Sequence, residues 1–220
     1  MALQKPSKLS KAKNWPAVLE YAESIRDGEK IACQELKQAI DRFFKDMDNP
    51  EYEMDPKAPE FCIGIIEKTL CHQQGEKLDG TPLRGTPFLL EPFHKFIIYN
   101  LVGFKLAGTN TVRFHEALIF IPRKNIKTSF AASLAWALSL WYRRSGAKTY
   151  IAAAALMQTL ESFNFLDYNV KRMGEDQKDG GHVHVIDNNN EHSMEADLGD
   201  GSFYIRALAA NPDAQDSLNC

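Results

Sequence analysis

The stretch Ile119-Phe120-Ile121-Pro122-Arg123-Lys124-Asn125-Ile126-Lys127-Thr128 constrains this chain more than any other. An apolar run, Ala117 to Ile121, reads as a strand. A short basic loop follows, ends in Lys-Thr, and opens into a long apolar segment, Ser129 to Tyr142, that reads as a helix. Strand, loop, Lys-Thr and helix in that order is the layout of a phosphate-binding loop. The strand delivers the loop to the edge of a sheet, and the helix N-terminus points free N–H groups at an anion. The lysine neutralises outer phosphates, and the neighbouring hydroxyl ligates magnesium.

One position departs from the motif. Glycine usually precedes the lysine, because it lets the backbone curl close around phosphate; this chain has Ile126. A β-branched residue resists positive φ and brings a side chain to where phosphate would lie. On spacing alone, a phosphate loop and an ordinary basic strand-to-helix turn both fit.

The 220 residues suit one generous domain, or a domain with a small appendage. Hydrophobic residues at 44% and charged residues at 25% supply a real core. A net charge of -3 excludes a chain that binds polyanions over its whole surface, so any nucleic-acid contact needs a local basic patch. The four cysteines (Cys33, Cys62, Cys71 and Cys220) form no C-x-x-C pair. Cys71-His72 has no partner pair at zinc-ligand spacing, and Cys33 and Cys62 fall on apolar helical faces, where buried thiols are expected. Few cysteines and no signal-peptide pattern point to a reducing cytosol. The most apolar stretch, Phe130 to Trp141, is too short to cross a bilayer.

Along the chain, residues 1–13 read as a disordered lysine-rich tip. Asn14-Trp15-Pro16 reads as a helix start, with Asn14 as cap and a stop at Asp27-Gly28. A second helix from about Lys30 carries Leu36, Ile40, Phe43 and Met47 at three-and-four spacing. Asp48 to Pro59 reads as a linker, Phe61 to Leu70 as a short helix, and Gly75 to Pro87 as a loop. Glu91-Pro92 starts a helix with Phe93, Phe96, Ile97 and Leu101 on one face. From there the pattern alternates: strand Val112–Ile121, helix Thr128–Arg143, strand Lys148–Ala153, helix Ala155–Met173, then strands near His182–Asp187 and Phe203–Leu208. That alternation predicts a parallel sheet with helices on both faces, preceded by a helical segment over 14–85. His182, His184 and His192 with Asp187 and Glu191 suggest a metal, but an Asn- and Asp-rich surface hairpin explains them equally. The acidic run Glu195 to Asp200 reads as a solvated turn.

The lead-in Arg113-Phe114-His115-Glu116-Ala117, together with Pro122-Arg123-Lys124-Asn125-Ile126-Lys127-Thr128, resembles the large terminase subunit of tailed bacteriophages. These are the ATP-driven motors that package DNA into proheads. Thr86-Pro87-Phe88-Leu89-Leu90-Glu91-Pro92-Phe93-His94 is similar to the family's upstream adenine-contact motif, with His94 where the family usually has glutamine. Tyr150-Ile151-Ala152-Ala153 with Gln158 is similar to its second strand and following helix.

The resemblance implies a P-loop ATPase core of the ASCE type over 86–220, binding ATP and Mg2+. Lys127 would contact the β- and γ-phosphates, and Thr128 would hold magnesium. Lys124, Asn125 and Ile126 would line the cradle, Arg123 would offset charge on the transferring phosphoryl group, and His94 would meet the adenine edge. It also implies double-stranded phage DNA, a portal protein, a small terminase subunit and a homo-oligomeric ring as partners, in the cytoplasm of a bacterial host. No apolar strand ending in Asp-Glu follows Lys127, and no carboxylate-rich nuclease segment is present, so the reading is of an incomplete sheet and a fragment. A non-catalytic prophage remnant that at most binds nucleotide or a partner is the alternative, and an unrelated P-loop protein such as a small kinase is a third.

Overall fold

The computed structural model describes residues 8–122 and 125–209. In chain order the elements are α1 (Trp15–Arg26), α2 (Gln34–Asp48), β1 (Tyr52–Met54), α3 (Lys57–Thr69), α4 (Pro92–Gly103), β2 (Phe104–Leu106), α5 (Lys127–Tyr142), β3 (Ala147–Ala153), α6 (Leu156–Met173), β4 (His184–Asp187), β5 (His192–Asp197) and β6 (Ser202–Ala209). They fall into two compact units, one of Met1–Gly64 with Leu89–Phe120 and one of Ile65–Phe88 with Ile121–Cys220. The division differs from a simple 14–85 and 86–220 split: residues 65–88 go with the later part of the chain, and 89–120 with the earlier.

The first unit is built on aromatic packing. Trp15 of α1, Phe43 of α2, Phe96 and Tyr99 of α4, and Phe104 at the start of β2 are all buried, with ring centroids 5.3–6.0 Å apart along the chain of contacts. Such pairs add to the burial of large apolar area. A polar hub sits beside them. Glu60 of α3 accepts from the Asn14 backbone N–H and side-chain amide, both at 2.8 Å, and from the Tyr99 hydroxyl at 2.5 Å. Lys95 donates to Asn14 Oδ1 at 2.9 Å. Asn14 therefore does not cap α1 through its own side chain, as its position suggests; it joins α1 to α3 and α4. Burial, and next the Glu60 carboxylate, push the Tyr99 phenol pKa well up. The linker reading of Asp48 to Pro59 is corrected by β1, which pairs antiparallel with β2. Two further corrections come from this unit. Residues 8–13 of the expected disordered tip include a 3-10 turn, Leu9–Lys11, that buries Leu9 completely. Cys33 is exposed, whereas Cys62 is buried and its thiol pKa is pushed up to about 12 by that burial.

The second unit is a four-stranded sheet in the order β3-β6-β5-β4. Only β3 and β6 are parallel. The expectation of a parallel sheet is thus corrected to a mixed one, and connection length gives the reason. β4 and β5 are joined by a tight turn in which Asn188 Oδ1 accepts from the N–H groups of Asn190 and Glu191. β5 and β6 are joined through Leu198–Gly201. Connections this short allow only antiparallel neighbours. At Gly201 φ is +154°, and an added Cβ would lie 2.4 Å from the Arg143 carbonyl oxygen, so that turn requires glycine. The acidic run read as a turn is in part β5: Met194 and Ala196 point inward, while Glu195 and Asp197 are exposed.

Both long helices lie on one face of this sheet, not on opposite faces. Ser139 of α5 is hydrogen-bonded to Thr149 of β3, and Trp136 packs edge-on against Phe203 of β6. Phe163 of α6 meets His192 of β5, which shares that face. Residues 65–88 are tied to α6 by Asn169. Its Oδ1 accepts from the Cys71 N–H at 2.7 Å, and its Nδ2 donates to the Cys71 carbonyl at 3.2 Å and to the Phe165 carbonyl at 2.9 Å. Buried amides satisfied this way hold a loop in one register.

The strand expected over Val112–Ile121 does not form. Val112 alone bridges to Lys105, and Arg113 donates its N–H to the Phe104 carbonyl. Beyond it the chain runs with Leu118 and Phe120 each 92% exposed. An apolar run signals a demand for burial, but a strand forms only where a neighbour accepts its backbone groups.

Candidate functional site

The loop before α5 contains the sequence-predicted phosphate residues, and its described part begins at Asn125. Arg123 and Lys124 lie outside the described residues. Asn125 donates its side-chain amide to the Pro122 carbonyl at 3.3 Å. Ile126 follows in the left-handed region, with φ 45° and ψ 25°. Among the described residues it alone, apart from glycines, has positive φ. L-residues avoid this region because Cβ approaches the following carbonyl oxygen, and β-branching makes it worse. The position where the motif has glycine therefore keeps a glycine-like backbone with an isoleucine side chain on it.

That conformation starts the helix. The Phe130 N–H donates to the Ile126 carbonyl at 2.8 Å, the first bond of the α5 ladder. The N–H groups of Lys127, Thr128 and Ser129 precede it and have no partner within the helix, so they converge on the space ahead of α5. Apolar packing anchors the helix behind them, with Phe130, Ala132, Trp136 and Ala137 buried. Lys127 is exposed and Thr128 half-buried. Thus Asn125, Ile126, Lys127 and Thr128 are brought together by local chain geometry alone. This arrangement of donors and one cation fits an anion; the Ile126 side chain, 37% exposed, is the one element that a phosphate cradle does not need.

His94 belongs to the first unit. It is the third residue of α4 and closes a capping box: the Glu91 side chain accepts from the His94 N–H, and His94 Nδ1 accepts from the Glu91 N–H at 3.2 Å. The ring is fully buried, and burial lowers its pKa to about 4. The neutral ring accepts at Nδ1, so its proton sits on Nε2.

Two features escaped the sequence reading. Arg113, quoted there only as part of the lead-in, forms an ion pair with the buried Asp46 of α2. Its guanidinium also lies over the Tyr52 and Phe114 rings, at 4.0 and 4.7 Å from their centroids. It fastens the start of the 113–122 segment to the first unit. The Glu60 hub was missed as well. No spacing rule links residues 39 and 46 positions apart. His182 and His192 are each paired with a carboxylate, Glu175 at 3.0 Å and Asp187 at 2.7 Å. Among the described residues no group of three or more His, Cys, Asp or Glu side chains could hold a metal ion.

Residues 92–219, more than half of the chain, match the family model described as the terminase large subunit, ATPase domain. The chain belongs to that family. No curated protein and no solved structure matches it. The match to the terminase ATPase domain begins at the first residue of α4 and spans the loop, α5, β3, α6 and the strands to β6. Among the described residues of this terminase chain, no helix is long and apolar enough to cross a membrane.

Proposed function

We propose that this chain is the nucleotide-binding ATPase portion of a phage or prophage terminase large subunit, acting in ATP-driven packaging of double-stranded DNA. The observation that carries the reading is the left-handed turn at Ile126, immediately before Lys127-Thr128 at the start of α5. An isoleucine held there against its own preference supports a backbone shaped for an anion. Family membership supports the nucleotide as that anion.

In this reading the chain binds and orients. The N–H groups ahead of α5 face the phosphates, and Lys127 neutralises the outer ones. The Thr128 hydroxyl would hold Mg2+, which when bound screens the phosphate charge. Arg123 and Lys124 add positive charge to the same loop. Asn125 sets the approach by tying itself to Pro122. His94 shapes the first turn of α4 through its capping box with Glu91. DNA, the portal protein, the small subunit and a homo-oligomeric ring are the partners that follow from this role, in the bacterial cytoplasm.

The Ile126 side chain favours a second reading, in which the chain binds nucleotide without turning it over. Calorimetric titration of the full chain with ATP and Mg2+, beside Lys127→Ala, tests both. Micromolar binding lost in the variant supports the site. Absence of binding to the wild type overturns it. Phosphate release measured on the same samples separates turnover from binding alone.

A further inference from the structure

A chain of net charge -3 meets a polyanion only through a local patch of cations. The second unit carries such a patch away from the loop before α5. On α6, Asn164, Tyr168, Lys171 and Arg172 follow helical spacing and share one face. Together with Asp167 and with Gln73 of the 65–88 segment they line a hollow of about 460 Å³. That volume falls in the range of ligand sites, about 300–1,000 Å³. Asn164, Lys171 and Arg172 are exposed, so the hollow is open along the helix.

Its donors are held in place yet unspent. Arg172 gives one N–H to the Thr69 carbonyl at 3.0 Å and keeps the rest of its fork. Arg84 borders the hollow, 5.0 Å above the Tyr168 ring centroid, and has no ion-pair partner. The side chains of Gln73, Asn164 and Tyr168 make no hydrogen bond among the described residues. Asp167 is the one carboxylate of the lining. Its Oδ2 accepts from Lys171 at 2.7 Å and its Oδ1 is buried, so the lysine meets its charge. Lys171 is drawn to Asp176 and Asp187 as well, which leaves Arg84 and Arg172 to supply the positive field. We propose that this hollow holds phosphate groups of a DNA backbone. Arginine, lysine, asparagine, glutamine and tyrosine side chains are the ones that contact phosphate and sugar in protein–DNA interfaces. An open hollow lets a strand pass across it, where a closed one would take a small molecule whole. The identity of the polymer rests on the packaging role proposed above; the site itself makes no use of the loop before α5.

Fluorescence anisotropy of a labelled DNA duplex with the full chain, from about 50 to about 200 mM salt, tests the inference. Binding is expected, alike for two unrelated sequences, because backbone contacts carry no sequence information. Asn164→Asp puts a carboxylate at the hollow without a change of size and weakens binding roughly tenfold. Asn189→Asp, the same charge change at an exposed turn position of the same unit, leaves binding unchanged. Arg84→Gln/Arg172→Gln lowers the slope of log affinity against log salt by about two, one for each cation lost. Asn164 is exposed and unbonded, so its variant keeps the wild-type melting temperature and decides the matter even where loss of the Thr69 bond destabilises the double variant. Lys127→Ala binds DNA as the wild type does, and Asn164→Asp binds ATP as the wild type does, so the two sites fail separately. No binding of the duplex overturns the proposal. So do equal losses at positions 164 and 189, an unchanged salt slope in the double variant, or displacement of the duplex by inorganic phosphate at an equal concentration of phosphate groups, which marks a site for the free anion instead.

Discussion

Replacing Ile126 tests the loop most directly, because two substitutions there separate backbone strain from side-chain bulk. Ile126 is 37% exposed, so about two-thirds of its side chain is buried. Removing it forfeits about 1–2 kcal/mol of burial in either variant. Ile126→Ala keeps a Cβ at φ 45° and so keeps most of the left-handed cost. Ile126→Gly relieves that cost, about 1–2 kcal/mol, and loses about 0.5–1 kcal/mol to the greater freedom of its unfolded chain. The glycine variant should therefore exceed the alanine variant by roughly 0.5–1 kcal/mol, and lie within about 1 kcal/mol of wild type. For a chain of this size that is a melting temperature about 1–4 °C above that of the alanine variant. Affinity moves differently. Glycine removes the group lying where phosphate approaches, so calorimetric binding of ATP with Mg2+ should tighten at least tenfold, with alanine intermediate. An alanine variant as stable as the glycine variant refutes the left-handed turn. Unchanged affinity in the glycine variant refutes Ile126 as the obstruction.

Other outcomes follow from the same geometry. Lys127→Ala should leave the melting temperature within a degree or two, because Lys127 is exposed, while weakening nucleotide binding at least tenfold by calorimetry. Arg113→Ala leaves the Asp46 carboxylate buried without its cation and should cost about 3–5 kcal/mol in a denaturant melt; Arg113→Ala combined with Asp46→Leu should recover a large part of that. His94 has its pKa lowered to about 4 by burial, so the unfolded chain binds more protons between that value and its ordinary value near 6.5. Stability therefore rises with pH across that window and is lost as pH falls through it, by roughly 3 kcal/mol at most. His72, whose pKa burial also lowers, adds in the same direction. Melts of His94→Gln from pH 4 to 7 should show a shallower pH dependence than wild type, and equal slopes would contradict the assignment.

The helices were legible because their signals are local. Trp15-Pro16 opens α1 and Asp27-Gly28 closes it where expected, and Glu91-Pro92 marks α4. The family signature and the layout of the loop were legible for the same reason, since Asn125 to Thr128 are neighbours in sequence. What failed depended on distant partners. The run 117–121 has the composition of a buried strand, but composition does not supply the neighbour that would make it one. β5 was missed although Met194 and Ala196 alternate with Ser193, Glu195 and Asp197; the acidic residues read as solvent-exposed, which they are, on the outer face of a strand. The missing glycine at 126 was visible, but the left-handed backbone that survives without it was not. Asn14 looked like a cap because sequence shows position and not the carboxylate, 46 residues away, that captures it.

The two units are interleaved along the chain: the first is interrupted by residues 65–88, and the second begins with that insert and resumes only at 121. A ribosome therefore completes neither until it has passed residue 120. Until then Cys71 has been made but Asn169, which holds its peptide at both ends, has not. The proline- and glycine-rich loop near residue 85 looks like the natural place to divide the chain. Cutting there strips the later part of the very segment that Asn169 clasps.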